Sequence, residues 1–144
     1  MAAAQTFENH TRFVPAYHYV ALPIFAINVL WNLYVVARHP SAGSAVGLLV
    51  AIALVILALF ARVFALTAQD RVIRLEMRFR LAERLPAALQ PRIPDFTIDQ
   101  LVALRFAGDD ELADLAEAVL RDNLTDRTAI KKMVTRWRAD LLRV

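Results

Sequence analysis

The chain has 144 residues, of which 58% are hydrophobic and 22% charged, with a formal net charge of +3 and no cysteine. This composition excludes a disordered protein, and the missing thiols exclude disulfides, iron–sulfur clusters and thiolate zinc sites. Charge is concentrated late in the chain, since residues 1–66 contain only Glu8, Arg12, Arg38 and Arg62, which predicts a membrane half followed by a water-facing half.

The first apolar stretch runs from residue 17 to 37. The segment before it, residues 1–16, lacks the basic and short apolar regions of a cleaved signal, so we expect an N-terminal segment in water and no removed leader. The stretch itself contains no charged side chain and suffices for a bilayer span. Pro23 lies in its second turn and could bend the helix.

A short loop separates this stretch from a second apolar one at residues 44–66. Pro40 cannot continue a helix, and Ser41 or Ser44 can cap the next one. So short a loop predicts an antiparallel transmembrane hairpin over residues 17–66. The loop carries Arg38 alone, whereas many arginines follow the second span, so both termini are expected in the cytoplasm.

Each predicted span has a polar or small-residue stripe at spacings of three and four. Small residues allow helices to approach closely in lipid. We expect the stripes to meet, with the amides hydrogen-bonded across the hairpin or to another subunit, because an unpaired amide in hydrocarbon is costly. The predicted packing residues are Asn28, Asn32, Gly47, Ala51, Ala58, Ala61 and Ala65. A transport pathway lined by Asn28, Asn32 and His18 is the alternative interpretation.

Residues 67–85 are predicted to continue the second span as a basic juxtamembrane stalk helix. One stripe is basic, and an adjacent apolar stripe of Val72, Leu75, Phe79 and Ala82 requires a partner. Ion pairs at i,i+4 are predicted between Asp70 and Arg74 and between Glu76 and Arg80. Four arginines are expected at anionic headgroups or a partner, the first by snorkelling: Arg62, Arg71, Arg74 and Arg78.

Three prolines predict an extended connector over residues 86–96, followed by a bundle of three short helices over residues 97–144. A capping box at Thr97 starts the first helix, which Gly108 ends. Asp109 caps the second, which Asn123 closes. The third is predicted from Thr125 to the C-terminus. It buries Trp137 and presents a basic arc to headgroups or an acidic protein: Lys131, Lys132, Arg136 and Arg138.

No arrangement of residues predicts chemistry. His18 and His39 lie at opposite ends of the first span, about 30 Å apart, and His10 approaches His18 only if the N-terminal segment folds back. The acidic cluster at residues 109–114 is explained by capping. We therefore expect no metal, no cofactor and no enzymatic activity. Nucleic-acid binding is disfavoured because residues 93–144 carry eight basic against ten acidic side chains.

Four segments resemble an uncharacterised family of short two-span bacterial membrane proteins, known only as a domain of unknown function. They are FENHTRFVPAYHY, ARHPSAGSAVGLL, ARVFALTAQDRVIRLEMRFRLAERLP and LTDRTAIKKMVTRWRADLLRV. The resemblance covers nearly the whole chain and is most specific at QDRVIRLE. It implies a bacterial inner-membrane protein, and it brings no activity or catalytic residues.

The predicted fold is thus an all-α membrane protein with a two-helix hairpin, a cytoplasmic stalk and a small C-terminal bundle. The predicted function is that of a non-catalytic accessory, assembly or structural subunit of a larger membrane complex, or of a homo-oligomer. Its expected partners are the anionic bilayer and a membrane protein. The alternatives are a small oligomeric channel or transporter component, and a membrane-tethered regulatory module that binds a soluble partner.

Overall fold

The computed structural model describes residues 5–9 and 13–140, and the elements in this part of the chain are all helical. These residues fall into two compact units. One lies within residues 12–66, and the other combines parts of residues 1–11 and 67–144.

The first unit is a helical hairpin. A π-helical segment, Ala16–Ala21, leads directly into helix α1, Leu22–Arg38. The backbone N–H of Leu22 donates to the carbonyl of Tyr17, five residues earlier, and this wider turn immediately precedes Pro23. Pro23 therefore lies at the start of α1, where a missing N–H is tolerated, and not in the second turn of a regular helix.

Helix α2, Ala42–Arg84, has 43 residues. Of the two candidate caps, Ser41 occupies the position, since its Oγ accepts from the N–H of Ser44 at 3.0 Å. Residues 42–66 of α2 belong to the hairpin unit and residues 67–84 to the other unit.

Two helical stretches are long and apolar enough to cross a membrane, Ala16–Arg38 and Ala42–Arg84. In their most apolar windows only 0% and 6% of the residues are buried by the chain itself. This exposure separates them from the core helices of a soluble protein, which are covered on their apolar side.

The second unit packs the end of α2 against short helices. These are a 3₁₀ segment, Gln90–Asp95, and helices α3, Ile98–Leu104, α4, Leu112–Arg121, and α5, Arg127–Met133. Its core joins one face of α2 to the short helices through Ile73, Met77, Leu81, Leu85, Leu101, Leu104, Leu112, Val119 and Ile130.

Two local capping predictions are confirmed. Thr97 and Gln100 form the reciprocal capping box of α3. The buried amide of Gln100 also donates to the carbonyl of Leu124 at 2.9 Å, which links the start of α3 to the chain before α5. Asn123 follows the C-terminus of α4 with φ of 45°, the left-handed conformation that asparagine tolerates.

The predicted end of the first short helix and the predicted start of the second are wrong. Helix α3 ends at Leu104, before Gly108. A Cβ on Gly108 would lie 3.0 Å from the carbonyl oxygen of Arg136, so glycine here permits a close approach of the backbone. Helix α4 begins after Glu111, and Asp109 does not cap it because its carboxylate binds Arg80.

The predicted last helix is wrong over residues 134–140, and the part predicted for residues 141–144 lies outside the described residues. Helix α5 begins after Asp126, whose carboxylate accepts from the N–H groups of Thr128 and Ala129. The residues from 134 to 140 are not helical, and Trp137 forms an antiparallel bridge with Ala107. The connector is also not simply extended. It contains the 3₁₀ segment, and the side chain of Gln90 donates to carbonyls at the end of α2.

Candidate functional site

The amides of the hairpin bond along α1 and not across the hairpin. The Asn32 side chain donates to the backbone and side-chain oxygens of Asn28 at 2.9 and 3.0 Å. Gly47 of α2 lies beside it, since a Cβ at Gly47 would be 2.7 Å from Asn32 Oδ1. The absence of a side chain at Gly47 therefore leaves room for the Asn32 amide.

The remaining packing candidates differ in burial. Ala51 is fully buried, whereas Ala65 is half-buried and Ala61 is exposed. The carbonyl of Ala58 accepts a hydrogen bond from the Tyr17 hydroxyl at 2.7 Å, a bond between the two helices that the sequence did not indicate. Tyr17 lies at the start of the first apolar stretch, a place in a membrane span where aromatic rings commonly contact headgroups.

The histidines occupy separate local environments. His18 Nδ1 lies 3.1 Å from the backbone nitrogen and 3.0 Å from the carbonyl oxygen of Val14, and its ring contacts those of Phe13 and Tyr17 edge-on. His39 follows the end of α1 and is exposed, while His10 lies outside the described residues. Within the described ranges, no group of three or more His, Cys, Asp or Glu side chains is arranged to hold a metal ion.

The end of α2 has two opposite faces. Ile73, Met77 and Leu81 are 5%, 3% and 0% exposed against the short helices. The stripe of Val72, Leu75 and Phe79 is 55%, 58% and 65% exposed. The sequence identified this second stripe as needing a partner, and it remains uncovered by the described part of the chain.

The arginines of α2 differ in exposure and in ion-pair partners. Arg71, Arg74 and Arg78 are exposed, and Arg62 is half-buried. The predicted i,i+4 ion pairs are replaced by longer-range ones. Asp70 lies 3.4 Å from Arg127, and Arg80 binds Asp109, which leaves Arg74 and Glu76 without those partners.

Arg80 attaches the loop after α3 to α2. Its guanidinium, in a side chain only 12% exposed, donates to the carbonyls of Arg105 and Ala107 and to the carboxylate of Asp109. Arg84 also lies 3.1 Å from Asp109. The hydrogen bond from Arg80, together with the positive charges nearby, lowers the pKa of Asp109 against the opposing effect of desolvation. Asp109 therefore remains ionised and holds the loop.

Glu111 plays the corresponding role for the C-terminal segment. It accepts from the N–H groups of Thr135 and Arg136 at 3.1 and 2.9 Å, and from the Thr135 hydroxyl. Desolvation alone would raise the pKa of Glu111, but the hydrogen bonds from Thr135, Arg136 and Gly108 outweigh it and lower the pKa. These bonds draw residues 135 and 136 away from α5.

The four basic residues predicted on one helical arc lie in different places. Lys131 Nζ lies 5.4 Å from the centre of the Phe106 ring, and Lys132 Nζ 5.8 Å from that of Phe7. Arg136 pairs with Asp110 at 2.7 Å, and Arg138 lies 3.6 Å from Asp109. They do not form a basic helix face suited to a nucleic-acid groove.

An open groove of about 810 Å³ runs between α2 and the segments around Arg105 and Asp140. Its walls carry both signs of charge, with Arg80 and Arg138 on one hand and Glu76 and Glu83 on the other. Arg105 and Asp140 lie 3.0 Å apart within it. The acidic side chains of residues 109–111 are used in structural contacts, as described above.

The comparisons with known proteins identify a family without a described activity. No curated protein and no solved structure matches the chain. All 144 residues match a family of unknown function (DUF6526), in agreement with the resemblance in sequence. The chain therefore belongs to this family.

Proposed function

We propose that the chain is a non-catalytic membrane protein that associates with other membrane subunits, as an accessory or assembly subunit of a complex or as a homo-oligomer. Its hairpin spans the bacterial cytoplasmic membrane, and the end of α2 with its short helices forms a domain in the cytoplasm. No cofactor is required, because the proposed role is association. The bilayer and a second protein are its partners.

The observation that carries this proposal is the exposed apolar stripe of Val72, Leu75 and Phe79. It lies beyond the apolar part of α2, where lipid tails no longer cover side chains, and the opposite face of the helix is already buried. Exposed aliphatic and aromatic groups in a row mark an interaction surface. Asp109, Asp110 and Glu111, in contrast, are bound to arginine side chains or backbone N–H groups, so none of these three carboxylates is free to act as a general base.

The polar groups required for a channel are engaged within the hairpin. The Asn32 amide binds Asn28, and His18 binds the backbone of Val14. These local bonds favour a structural role over a pathway for solutes.

Substitution within the exposed stripe tests the association. We expect the wild-type chain, extracted in mild detergent, to migrate at a mass above that of one chain plus its micelle. Leu75→Glu places a charge in the stripe and should release a single chain, since an unpaired buried charge opposes association by several kcal/mol. Ala88→Glu introduces the same charge at another exposed apolar residue, beyond the end of α2 and outside the stripe, and as the matched control it should keep the larger mass. Wild-type chain that is already monomeric, with no bound protein, contradicts the proposal.

A further inference from the structure

The exposed side of α2 carries a heptad pattern. Ala68, Val72, Leu75, Phe79 and Ala82 are spaced by four, three, four and three residues, and all five are exposed. In the sequence, the same spacing extends back through Ala65 and Ala61, so it covers three heptads. Apolar residues at alternating spacings of three and four are the seam of a coiled coil.

We call Ala68, Val72, Leu75, Phe79 and Ala82 the seam, and it lies on the side of α2 opposite the buried core. Leu75 is two residues from both Ile73 and Met77, which places it about 200° from each around the helix. Ile73 and Met77 are buried, whereas Leu75 is 58% exposed. The short helices leave this side of α2 exposed, and Val72 and Phe79 on it also line the open groove described above.

The two edges of the seam carry opposite charges. Arg71 and Arg78 directly precede Val72 and Phe79, and Glu76 and Glu83 directly follow Leu75 and Ala82. All four charged side chains are exposed. None of them forms an ion pair with a residue in the described part of the chain.

We propose that the partner of this seam is a second copy of the chain, in a parallel two-stranded coiled coil formed by residues 68–82 of α2. When two copies run parallel, the basic edge of one faces the acidic edge of the other. Arg71 then faces Glu76 of the second copy, and Arg78 faces its Glu83, because both pairs are separated by five positions. An antiparallel pair would place like charges together.

Membrane insertion, as proposed above, strengthens this choice of partner. Copies inserted with the same topology present α2 in the same direction, which a parallel coiled coil requires. Confinement to one bilayer also raises their effective concentration, which compensates for a short coil. A headgroup surface is a poorer occupant of the seam, because Glu76 and Glu83 would face anionic lipid.

Cysteine crosslinking in the full-length chain tests the contact, since the natural chain contains no cysteine. At low protein density in liposomes, oxidation should convert Leu75→Cys into a disulfide-linked dimer. Arg74→Cys is adjacent, also exposed and off the seam, and it should give about tenfold less dimer. Equal crosslinking at the two positions would overturn the proposal.

Charge reversal distinguishes a parallel coil from other contacts. In the Leu75→Cys chain, Arg71→Glu with Arg78→Glu makes both edges acidic and should reduce the dimer about tenfold. Adding Glu76→Arg and Glu83→Arg exchanges the edges, restores complementarity and should restore the dimer. Failure of this restoration overturns the parallel arrangement.

The inference rests on the proposed function, but the two can fail separately. If Leu75→Cys gives no dimer while the wild-type assembly still dissociates on Leu75→Glu, the partner is a different protein and only this inference is wrong. If the wild-type chain is monomeric in detergent and Leu75→Cys gives no dimer in liposomes, both proposals are wrong.

Discussion

At the scale of single residues, one carboxylate fixes the end of the described chain. Glu111 holds the N–H groups of Thr135 and Arg136, and just beyond them Trp137 packs on Phe106 with ring centres 4.8 Å apart. Charged acceptors form the stronger hydrogen bonds of proteins. The segment after α5 therefore depends on the ionised form of Glu111.

Acid should release this segment. The pKa of Glu111 is lowered on folding from its ordinary value of 4.5, so its contribution to stability is present above that value and is lost as the pH falls through the lower, folded-state pKa. Trp137 is the reporter, in a chain where Trp31→Phe removes the other tryptophan. Its emission should shift to the red on acidification. Glu111→Gln should destabilise the segment by about 1–2 kcal/mol at neutral pH and weaken this pH dependence.

Glu117→Gln is the matched control for this substitution. Glu117 is exposed on α4, and the hydrogen bonds to the described residues 134–140 do not involve it. Its replacement should leave the emission of Trp137 and its acid transition unchanged. The same acid transition in wild type and Glu111→Gln would show that another group controls the segment.

At the scale of elements, the sequence predicted one helix start and one helix end whose caps are local, and it missed boundaries that distant residues determine. The capping box at Thr97 and the left-handed Asn123 depend on residues a few positions apart, so the sequence displays them. The end of α5 depends on Glu111, more than twenty residues earlier. No local pattern reveals such a contact, and the residues after Met133 retain a helical spacing of apolar side chains.

The choice of the buried face of α2 also depends on distant residues, so the sequence alone does not predict it. The sequence shows apolar residues on two sides of residues 68–82, and periodicity alone does not decide which side the chain buries. Packing against α3 and α5 selects Ile73 and Met77. Long-range partners also replace the predicted i,i+4 ion pairs, because the Arg80 guanidinium binds the carboxylate of Asp109 together with the carbonyls of Arg105 and Ala107.

The helices α1 and α2 can approach closely at Asn32 because Gly47 has no side chain, so a larger residue at position 47 should destabilise the hairpin. Gly47→Ala places a methyl group 2.7 Å from Asn32 Oδ1, so the amide must shift and its bonds to Asn28 should weaken. We expect a cost of about 1–2 kcal/mol relative to Gly43→Ala, whose Cβ would meet only Ser41 Oγ at 3.8 Å. Unfolding of each variant by sodium dodecyl sulfate, followed by circular dichroism, measures the difference.

Asn32→Ala provides the internal check on this packing. If the clash with the Asn32 amide causes the loss of stability, Gly47→Ala should destabilise less in a chain that also carries Asn32→Ala. The double-mutant cycle should then show coupling between the two positions. Equal losses for Gly47→Ala and Gly43→Ala would contradict close packing at this position.

At the scale of the whole molecule, the segments before and after the hairpin belong to one compact unit. The N–H of Asp140 donates to Gln5 Oε1 at 2.9 Å, and Lys132 lies near the Phe7 ring. If the hairpin spans the membrane, these segments share one side of it, as an even number of spans requires. In the proposed orientation that side is the cytoplasm, because several arginines follow the second span.

Labelling of single cysteines with a membrane-impermeant maleimide tests this topology. His39→Cys lies in the loop between α1 and α2 and should react in intact cells, because the loop faces outward in the proposed orientation. Glu8→Cys and Thr125→Cys, both exposed in the other unit, should react only after permeabilisation. The reverse pattern would invert the orientation. Different labelling of Glu8→Cys and Thr125→Cys would exclude two spans, since the shared unit requires both positions on one side of the membrane.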